Sequence, residues 1–263
     1  KYQISPLNCD AQISFEPFLD GNIVNQDKNW DDKFWNILSV FSEKSSAFIE
    51  AETMKTRFKT CTFMYNQCTL NGVRVNPIFS EKNQRQKIDH KYQMNVDKGS
   101  TFTIEKIGGY TSDRKHNNVL LDAKSALEIA SKKGFKILLD EQAKAWTKIW
   151  QMADITIEGD VKAQQGIRFN IFHLNQTYSG NDPLLNIGPK GFTGEKYGGS
   201  TYWDTEAYCL PFYMATKSPN VAKNLLEYRF QHLEKAIENA QKLGFNSGAA
   251  LYPMVTMNGE ECH

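Results

Sequence analysis

Trp203 and Asp204 are adjacent in the segment KGFTGEKYGGSTYWDTEAYCLPFY, and this pair of residue types could bind a sugar. An indole ring offers an apolar face to the C–H groups of a glucosyl ring, while a carboxylate accepts hydrogen bonds from ring hydroxyls. Each such charge-assisted bond contributes about 1.5 to 3 kcal/mol, enough to select one sugar over its epimer. A structural role is equally open, with the indole in a helix interface and Asp204 capping a backbone amide.

Glycines are concentrated immediately before this pair, between residues 191 and 199. Gly194 and Gly199 have the spacing of a phosphate-binding loop, but Ser200 stands where that motif needs lysine and no buried strand precedes it. The sequence therefore disfavours a nucleotide site. The segment could fold over the mouth of an active site or simply connect two helices.

The sequence does not single out an acid catalyst or a metal site. Four carboxylates near the pair could donate a proton in principle, yet none has a visible partner and each also suits a solvated helix face. These four are Glu195, Glu206, Glu260 and Glu261. The five histidines show neither HxH nor HExxH spacing, so we expect no metal ion.

Charge and cysteine content narrow the class of protein. The 263 residues include 31 Lys plus Arg and 30 Asp plus Glu, so nothing indicates binding to nucleic acid or to an anionic membrane. The five cysteines lack CxxC pairs, which favours reduced thiols in the core over disulfides. With neither an apolar run of 18 residues nor a signal segment, we expect a cytoplasmic protein.

Residues 1–121 have the pattern of a β-sandwich. Short runs that alternate apolar and polar residues are separated by Asn-Gly and Gly-Gly, as in antiparallel strands. The clearest hairpin is CTLNGVRV, with its turn at Asn71-Gly72. The interrupting stretch NWDDKFWNILS is expected to form a loop or a short helix.

Residues 122–159 and 160–263 have helical patterns. The first range is rich in Ala, Lys, Leu and Glu and is predicted to be a helical linker, with a possible break at Gly134. In the second, Ile167 to Tyr178 have helical spacing, and another helix begins near Tyr202. A third helix is predicted from the cap Ser218 to Gly244. These helices are expected to be the start of a helical array.

Most of the chain resembles the phosphorylases of glycoside hydrolase family 65. The strongest likeness is IGPKGFTGEKYGGSTYWDTEAYCLPFY. ISFEPFLDGNIVNQDKNWDDKFWNILS resembles the N-terminal β-sandwich of that family, and AWTKIWQMADITIEGD resembles its linker. Three further stretches resemble the first part of its barrel: RFNIFHLNQTY, LLEYRFQHLEKAIENAQKLGF and GAALYPMVTMNGEEC.

This resemblance implies a β-sandwich joined by helices to an (α/α)6 barrel, in an enzyme that splits an α-linked glucose disaccharide with inorganic phosphate and inverts the anomeric carbon. Maltose would give β-D-glucose 1-phosphate and D-glucose, without a cofactor. The resemblance places Trp203 and Asp204 in the pocket for the glucose on the non-reducing side of the broken bond. The general acid and the phosphate ligands would lie beyond His263, so we expect a fragment that is inactive alone, and a parent enzyme that could be a homodimer.

Other substrates and another class of protein remain open. Trehalose, kojibiose or nigerose could replace maltose, and water could replace phosphate in a hydrolase of the same fold. A non-catalytic carbohydrate-binding protein would use Trp30 and Trp35 in addition to Trp203 and Asp204. Whether those first two tryptophans serve core packing or contact with the catalytic domain is not decided by the sequence.

Overall fold

The computed structural model describes residues 1–24, 33–54, 57–114, 118–188, 191 and 200–262. The described residues up to Gln142 form one compact unit, and those from Ala143 onward form a second. The first unit is rich in strands and the second in helices.

Two antiparallel sheets make up most of the first unit. The larger sheet has the strand order β1-β10-β6-β5-β4, with β7 also paired to β6. The smaller sheet has the order β2-β9-β3, with β8 also paired to β9. The strands are β1 (Tyr2–Ile4), β2 (Ala11–Phe15), β3 (Phe18–Asp20), β4 (Trp35–Glu43), β5 (Ser46–Thr53), β6 (Lys59–Leu70), β7 (Val73–Val75), β8 (Ile78–Asn83), β9 (Lys87–Val96) and β10 (Phe102–Ser112).

The larger sheet buries side chains on both faces. Alternate residues of a strand point to opposite faces, so Ile49 of β5 packs with Ile88 of the smaller sheet while its neighbour Phe48 points the other way. Phe48 meets Val119 and Ala123 of helix α1 (Val119–Ala153). The expected β-rich N-terminal region is therefore confirmed, with a helix covering the second face of its larger sheet.

The hairpin predicted at Asn71-Gly72 joins β6 to β7. Both turn residues have positive φ, 50° at Asn71 and 83° at Gly72. Asn and Gly adopt that conformation more readily than other residues, which is why this dipeptide is a strong hairpin signal.

The prediction of a loop or short helix for NWDDKFWNILS is wrong over its described part. Trp35 begins strand β4, which pairs with β5 in the order Trp35↔Thr53 to Glu43↔Ser46. The strand carries an irregularity between Ile37 and Ser39, and such a bulge hides the simple alternation from a sequence pattern. Trp35 is half-buried, whereas Trp30 lies outside the described residues.

Helix α1 has the break predicted at Gly134. That residue has φ 71° and ψ 172°, values outside the helical range. Glycine adopts such a conformation without the clash that a Cβ atom would introduce. The helix begins at Val119, slightly before the alanine-rich and lysine-rich composition starts.

The second unit contains five further helical segments and a short two-stranded ribbon among its described residues. They are α2 (Val161–Thr177), β11 (Thr201–Tyr202), a π-helix (Thr205–Cys209), α3 (Leu210–Thr216), α4 (Pro219–Phe230), α5 (Leu233–Lys242) and β12 (Val255–Thr256). Asp160 caps α2 by accepting a 2.9 Å hydrogen bond from the Ala163 amide.

The single helix predicted from Ser218 to Gly244 is in fact two helices. Gln231 and His232 separate α4 from α5, although neither is a helix-breaking residue. His232 lies against Gly259, where an added Cβ would come within 2.8 Å of the imidazole. The break therefore accompanies a contact with a distant segment, which a local pattern cannot reveal.

The expectation of reduced cysteine thiols in the core is met only in part. All five are free, but Cys9 and Cys262 are exposed rather than in the core. Burial raises the pKa of Cys61 to about 12 and that of Cys68 to about 11, so both thiols stay protonated at neutral pH. Among the described helices, none has both the length and the apolar character needed to cross a membrane.

Candidate functional site

Trp203 and Asp204 lie at the junction of a strand and a π-helix. Strand β11 ends at Tyr202, and its pairing with β12 places Thr201 opposite Thr256 and Tyr202 opposite Val255. The chain then turns, with the Trp203 carbonyl accepting hydrogen bonds from the amides of Glu206 and Ala207 at 3.2 and 3.3 Å. π-Helical turns occur often at functional sites, because their wider turn redirects side chains.

Both side chains of the pair face solvent. Trp203 retains 47 % of its accessible surface, and Asp204 is also exposed. Asp204 precedes the π-helix with helical backbone angles and forms no side-chain capping bond. The indole is therefore not packed in a helix interface, and the carboxylate caps no backbone amide, so both groups are accessible to a ligand. Sugar binding by the pair stays a prediction.

Two threonine side chains bind the turn to a neighbouring backbone carbonyl. The hydroxyls of Thr201 and Thr205 both donate to the carbonyl of Ile187, at 2.9 and 3.0 Å. Both threonines are buried, and so is Ile187. One backbone carbonyl thus holds the residues that lie two positions before Trp203 and one position after Asp204.

Glu206 is the centre of a partly buried polar cluster. The Nε and Nη2 atoms of Arg229, on α4, donate to its two carboxylate oxygens at 2.9 and 3.1 Å. The amide of Asn186 also donates to Glu206, at 3.2 Å. The same Arg229 Nη2 donates to the carbonyl of Tyr202 at 2.9 Å. The carboxylate of Glu206 is therefore engaged in a two-bond ion pair within the protein.

The other acid candidates are less constrained. Glu260 pairs with Lys235 at 3.4 Å, and both line a cleft of about 330 Å³ together with Glu261. Glu195 lies outside the described residues, as do Phe192 to Gly199 of the glycine-rich segment. Of that segment Gly191 is described: its φ is +62°, and its amide donates to the Gly188 carbonyl at 2.8 Å.

Below the π-helix and α3 lies an apolar cluster. Tyr213 is completely buried there, and its hydroxyl donates to the Leu174 carbonyl of α2 at 2.7 Å. Burial raises the pKa of Tyr178, which meets the Tyr213 ring edge-on, to about 12. Burial, followed by the charges of Glu206 and Asp204, also raises the pKa of Cys209. Tyr178 and Cys209 are therefore neutral at physiological pH, and they pack with Tyr213 in this cluster.

The sequence does not predict the contacts that Arg229 and Asn186 make with Glu206. Arg229 sits in an ordinary amphipathic helical pattern and Asn186 in a loop, so neither carries a local signal. Their role depends on contacts to residues 20 or more positions away. Among the described residues, no group of three or more His, Cys, Asp or Glu is placed to hold a metal ion.

Comparison with known proteins matches the two parts of the chain separately. Residues 1–149 match the glycosyl hydrolase family 65 N-terminal domain, and residues 168–263 match the glycosyl hydrolase family 65 central catalytic domain. A maltose phosphorylase of Bacillus subtilis is 40 % identical over 264 residues, which cover 100 % of this chain and 34 % of that protein. An alpha,alpha-trehalose phosphorylase of Thermoanaerobacter brockii is 33 % identical, with 99 % and 34 % coverage.

A solved structure agrees with these matches. A putative kojibiose phosphorylase from human microbiome superposes with a TM-score of 0.82 at 31 % identity, covering 97 % of this chain and 32 % of that one. The chain thus spans about a third of the length of the relatives that it matches. With both domain types present in this order, the chain belongs to glycosyl hydrolase family 65.

Proposed function

We propose that the whole protein is an inverting disaccharide phosphorylase and that maltose is its substrate. The observation that carries this proposal is the 40 % identity to a maltose phosphorylase along the full chain. The trehalose and kojibiose phosphorylases that also match are less similar, at 33 % and 31 %. The products would be β-D-glucose 1-phosphate and D-glucose, with inorganic phosphate as co-substrate and no cofactor.

The geometry around Trp203 supports a sugar-binding role for this region. In the proposed site the indole contacts the apolar face of the non-reducing glucose, and Asp204 accepts hydrogen bonds from two of its hydroxyls. Phosphate is already an anion at neutral pH, so the reaction needs one general acid and no general base. Glu206 is committed to Arg229, so we place that acid elsewhere in the whole protein, within an (α/α)6 barrel that this chain begins.

The direct test is phosphate-dependent release of β-D-glucose 1-phosphate by the full-length protein from maltose, trehalose, kojibiose and nigerose. We expect turnover of maltose at a higher kcat/KM than the other three. Release of free glucose alone, without dependence on phosphate, would identify a hydrolase. Binding of maltose without turnover under any condition would favour the alternative of a carbohydrate-binding protein.

Replacing Asp204 tests the sugar pocket. Because two charge-assisted bonds are lost, we expect Asp204→Ala to lower kcat/KM for maltose by at least about 100-fold. The matched control is Asp160→Ala, which removes the cap of α2 and costs about 1 kcal/mol of stability while leaving the kinetics near those of the wild type. Unchanged kinetics in Asp204→Ala would remove this residue from the site.

A further inference from the structure

The polar contacts of Arg229 join the two sides of the Trp203–Asp204 turn. On one side its Nη2 donates to the Tyr202 carbonyl, which immediately precedes Trp203. On the other side its Nε and Nη2 bind the carboxylate of Glu206, two residues after Asp204. A single guanidinium therefore bridges the backbone before the pair and the side chain after it.

The environment of Arg229 makes these bonds effective restraints. Its side chain is 11 % exposed and that of Glu206 is 21 % exposed, so water competes weakly for either partner. Arg229 is on α4, which is fixed to the core of the second unit by Leu225 and Tyr228, both buried. The turn is thereby tied to a rigid helix. A planar guanidinium can make two parallel bonds to a carboxylate and a third to a carbonyl, a geometry that the ammonium of lysine cannot reproduce.

We propose that Arg229 and Glu206 are positioning residues for the sugar site: they fix the turn that presents Trp203 and Asp204 and so determine how well the non-reducing glucose is held. This inference rests on the proposed function, since it assumes that the pair binds the sugar. Neither residue touches the substrate, and both act through the orientation of their neighbours.

The test uses Arg229→Lys and Glu206→Gln in the full-length protein. Both variants keep side-chain size close to the original but break the two-bond pair. Misplacement by about 1 Å can cost a factor of about 100 in rate, so we expect kcat/KM for maltose to fall by about 10- to 100-fold. The KM for phosphate should stay within about twofold of the wild type, because the phosphate ligands are expected outside this segment. A loss of folded protein alone would lower the activity without producing this difference between the values for maltose and for phosphate.

The matched control is Arg168→Lys. Arg168 also makes a two-bond pair, donating to the Asp154 oxygens at 2.9 and 2.7 Å in the same unit. We expect this variant to keep both KM values. In the double variant of Arg229→Lys and Glu206→Gln, the loss should be about as large as in the single variants, because the two residues act as one unit.

The outcomes distinguish this proposal from the function on which it rests. If Arg229→Lys and Glu206→Gln keep kcat/KM within twofold while Asp204→Ala is inactive, the positioning role is wrong and the pocket stands. If Asp204→Ala also keeps its activity, the pocket assignment itself fails. If Arg229→Lys does not fold, as judged by circular dichroism, the kinetics of Glu206→Gln decide whether the positioning role is correct.

Discussion

At the scale of single residues, the buried side chain of His90 affects how the stability of the sandwich depends on pH. It is fully buried on β9, and its Nδ1 lies 3.4 Å from the amide of Asn66 on β6, in the opposite sheet. The Tyr92 hydroxyl is also 3.4 Å from the same nitrogen. Burial lowers the pKa of His90, an effect that the charge of Glu81 offsets in part. The imidazole is therefore neutral in the folded protein at physiological pH.

This lowered pKa predicts a loss of stability in mild acid. Below the unfolded-state pKa of about 6.5 the unfolded chain binds a proton that folded His90 resists, so the free energy of unfolding falls as the pH drops from about 7 toward the folded-state pKa. Urea unfolding at pH 7.5 and 5.5 measures the change, and His90→Gln should reduce it. The pKa of His232 is lowered too, so His232→Gln is the matched variant. An equal pH dependence in wild type and His90→Gln would contradict the prediction.

At the scale of elements, the sequence predicts what local patterns encode. The alternation in β5 and β6 and the Asn71-Gly72 turn depend on neighbouring residues, and those elements form as expected. The break at Gly134 likewise comes from one residue's own backbone freedom. The separation of α4 from α5 carries no glycine or proline signal at residues 231 and 232. The contacts that accompany it and the π-helix come from distant residues such as Gly259 and Arg229.

For the candidate site, too, the sequence predicts some residues and not others. Trp203 and Asp204 could be selected by their chemistry and by a family likeness, and the structure shows both at the surface. Their supports could not be selected, since Thr201, Thr205 and Arg229 are ordinary residues for their elements. The sequence thus predicts the groups that would face a ligand better than the groups that hold them.

A close contact between a loop glycine and helix α4 gives a prediction at this scale. Gly180 has φ +74°, and an added Cβ would lie 2.8 Å from Val221 Cβ and Cγ2. Its carbonyl also accepts a 2.7 Å hydrogen bond from Asn224. Gly180→Ala should therefore lose about 1–2 kcal/mol from backbone strain and a further ~1–3 kcal/mol from overpacking.

The control for that variant is Gly244→Ala. Gly244 has φ +86° but no atom within 4 Å of an added Cβ, so it isolates the backbone contribution alone. Chemical denaturation of both variants measures the difference. If Gly180→Ala is no less stable than Gly244→Ala, the packing of this loop against α4 is not as described.

At the scale of the whole molecule, the helices of the second unit expose large apolar side chains. Phe169 of α2, Met214 of α3 and Phe230 of α4 are 62 %, 67 % and 66 % exposed. Exposed apolar surface of this extent in several neighbouring elements is typical of surfaces that become covered by further protein. This agrees with a chain that spans about a third of its relatives.

We therefore expect the 263-residue chain, expressed alone, to release no glucose 1-phosphate from maltose at any phosphate concentration. We also expect it to bind an apolar fluorescent dye more strongly than the full-length protein does, because that dye reports on exposed apolar surface. Side-by-side assays of the two proteins provide the measurement. Turnover by the short chain at the full-length rate would show that every catalytic group lies within it.

The pairing of β11 with β12 also has a consequence for biosynthesis. Tyr202 can find its partner Val255 only after the ribosome has released the second strand from its exit tunnel. Translation at about 5–20 residues per second makes this a wait of seconds, during which a nascent chain would hold Trp203 on an unpaired segment. The sandwich has a delay of the same kind, because β1 pairs with β10 and β2 pairs with β9. Chaperones that bind emerging polypeptides would thus meet the Trp203–Asp204 turn while it is still unformed.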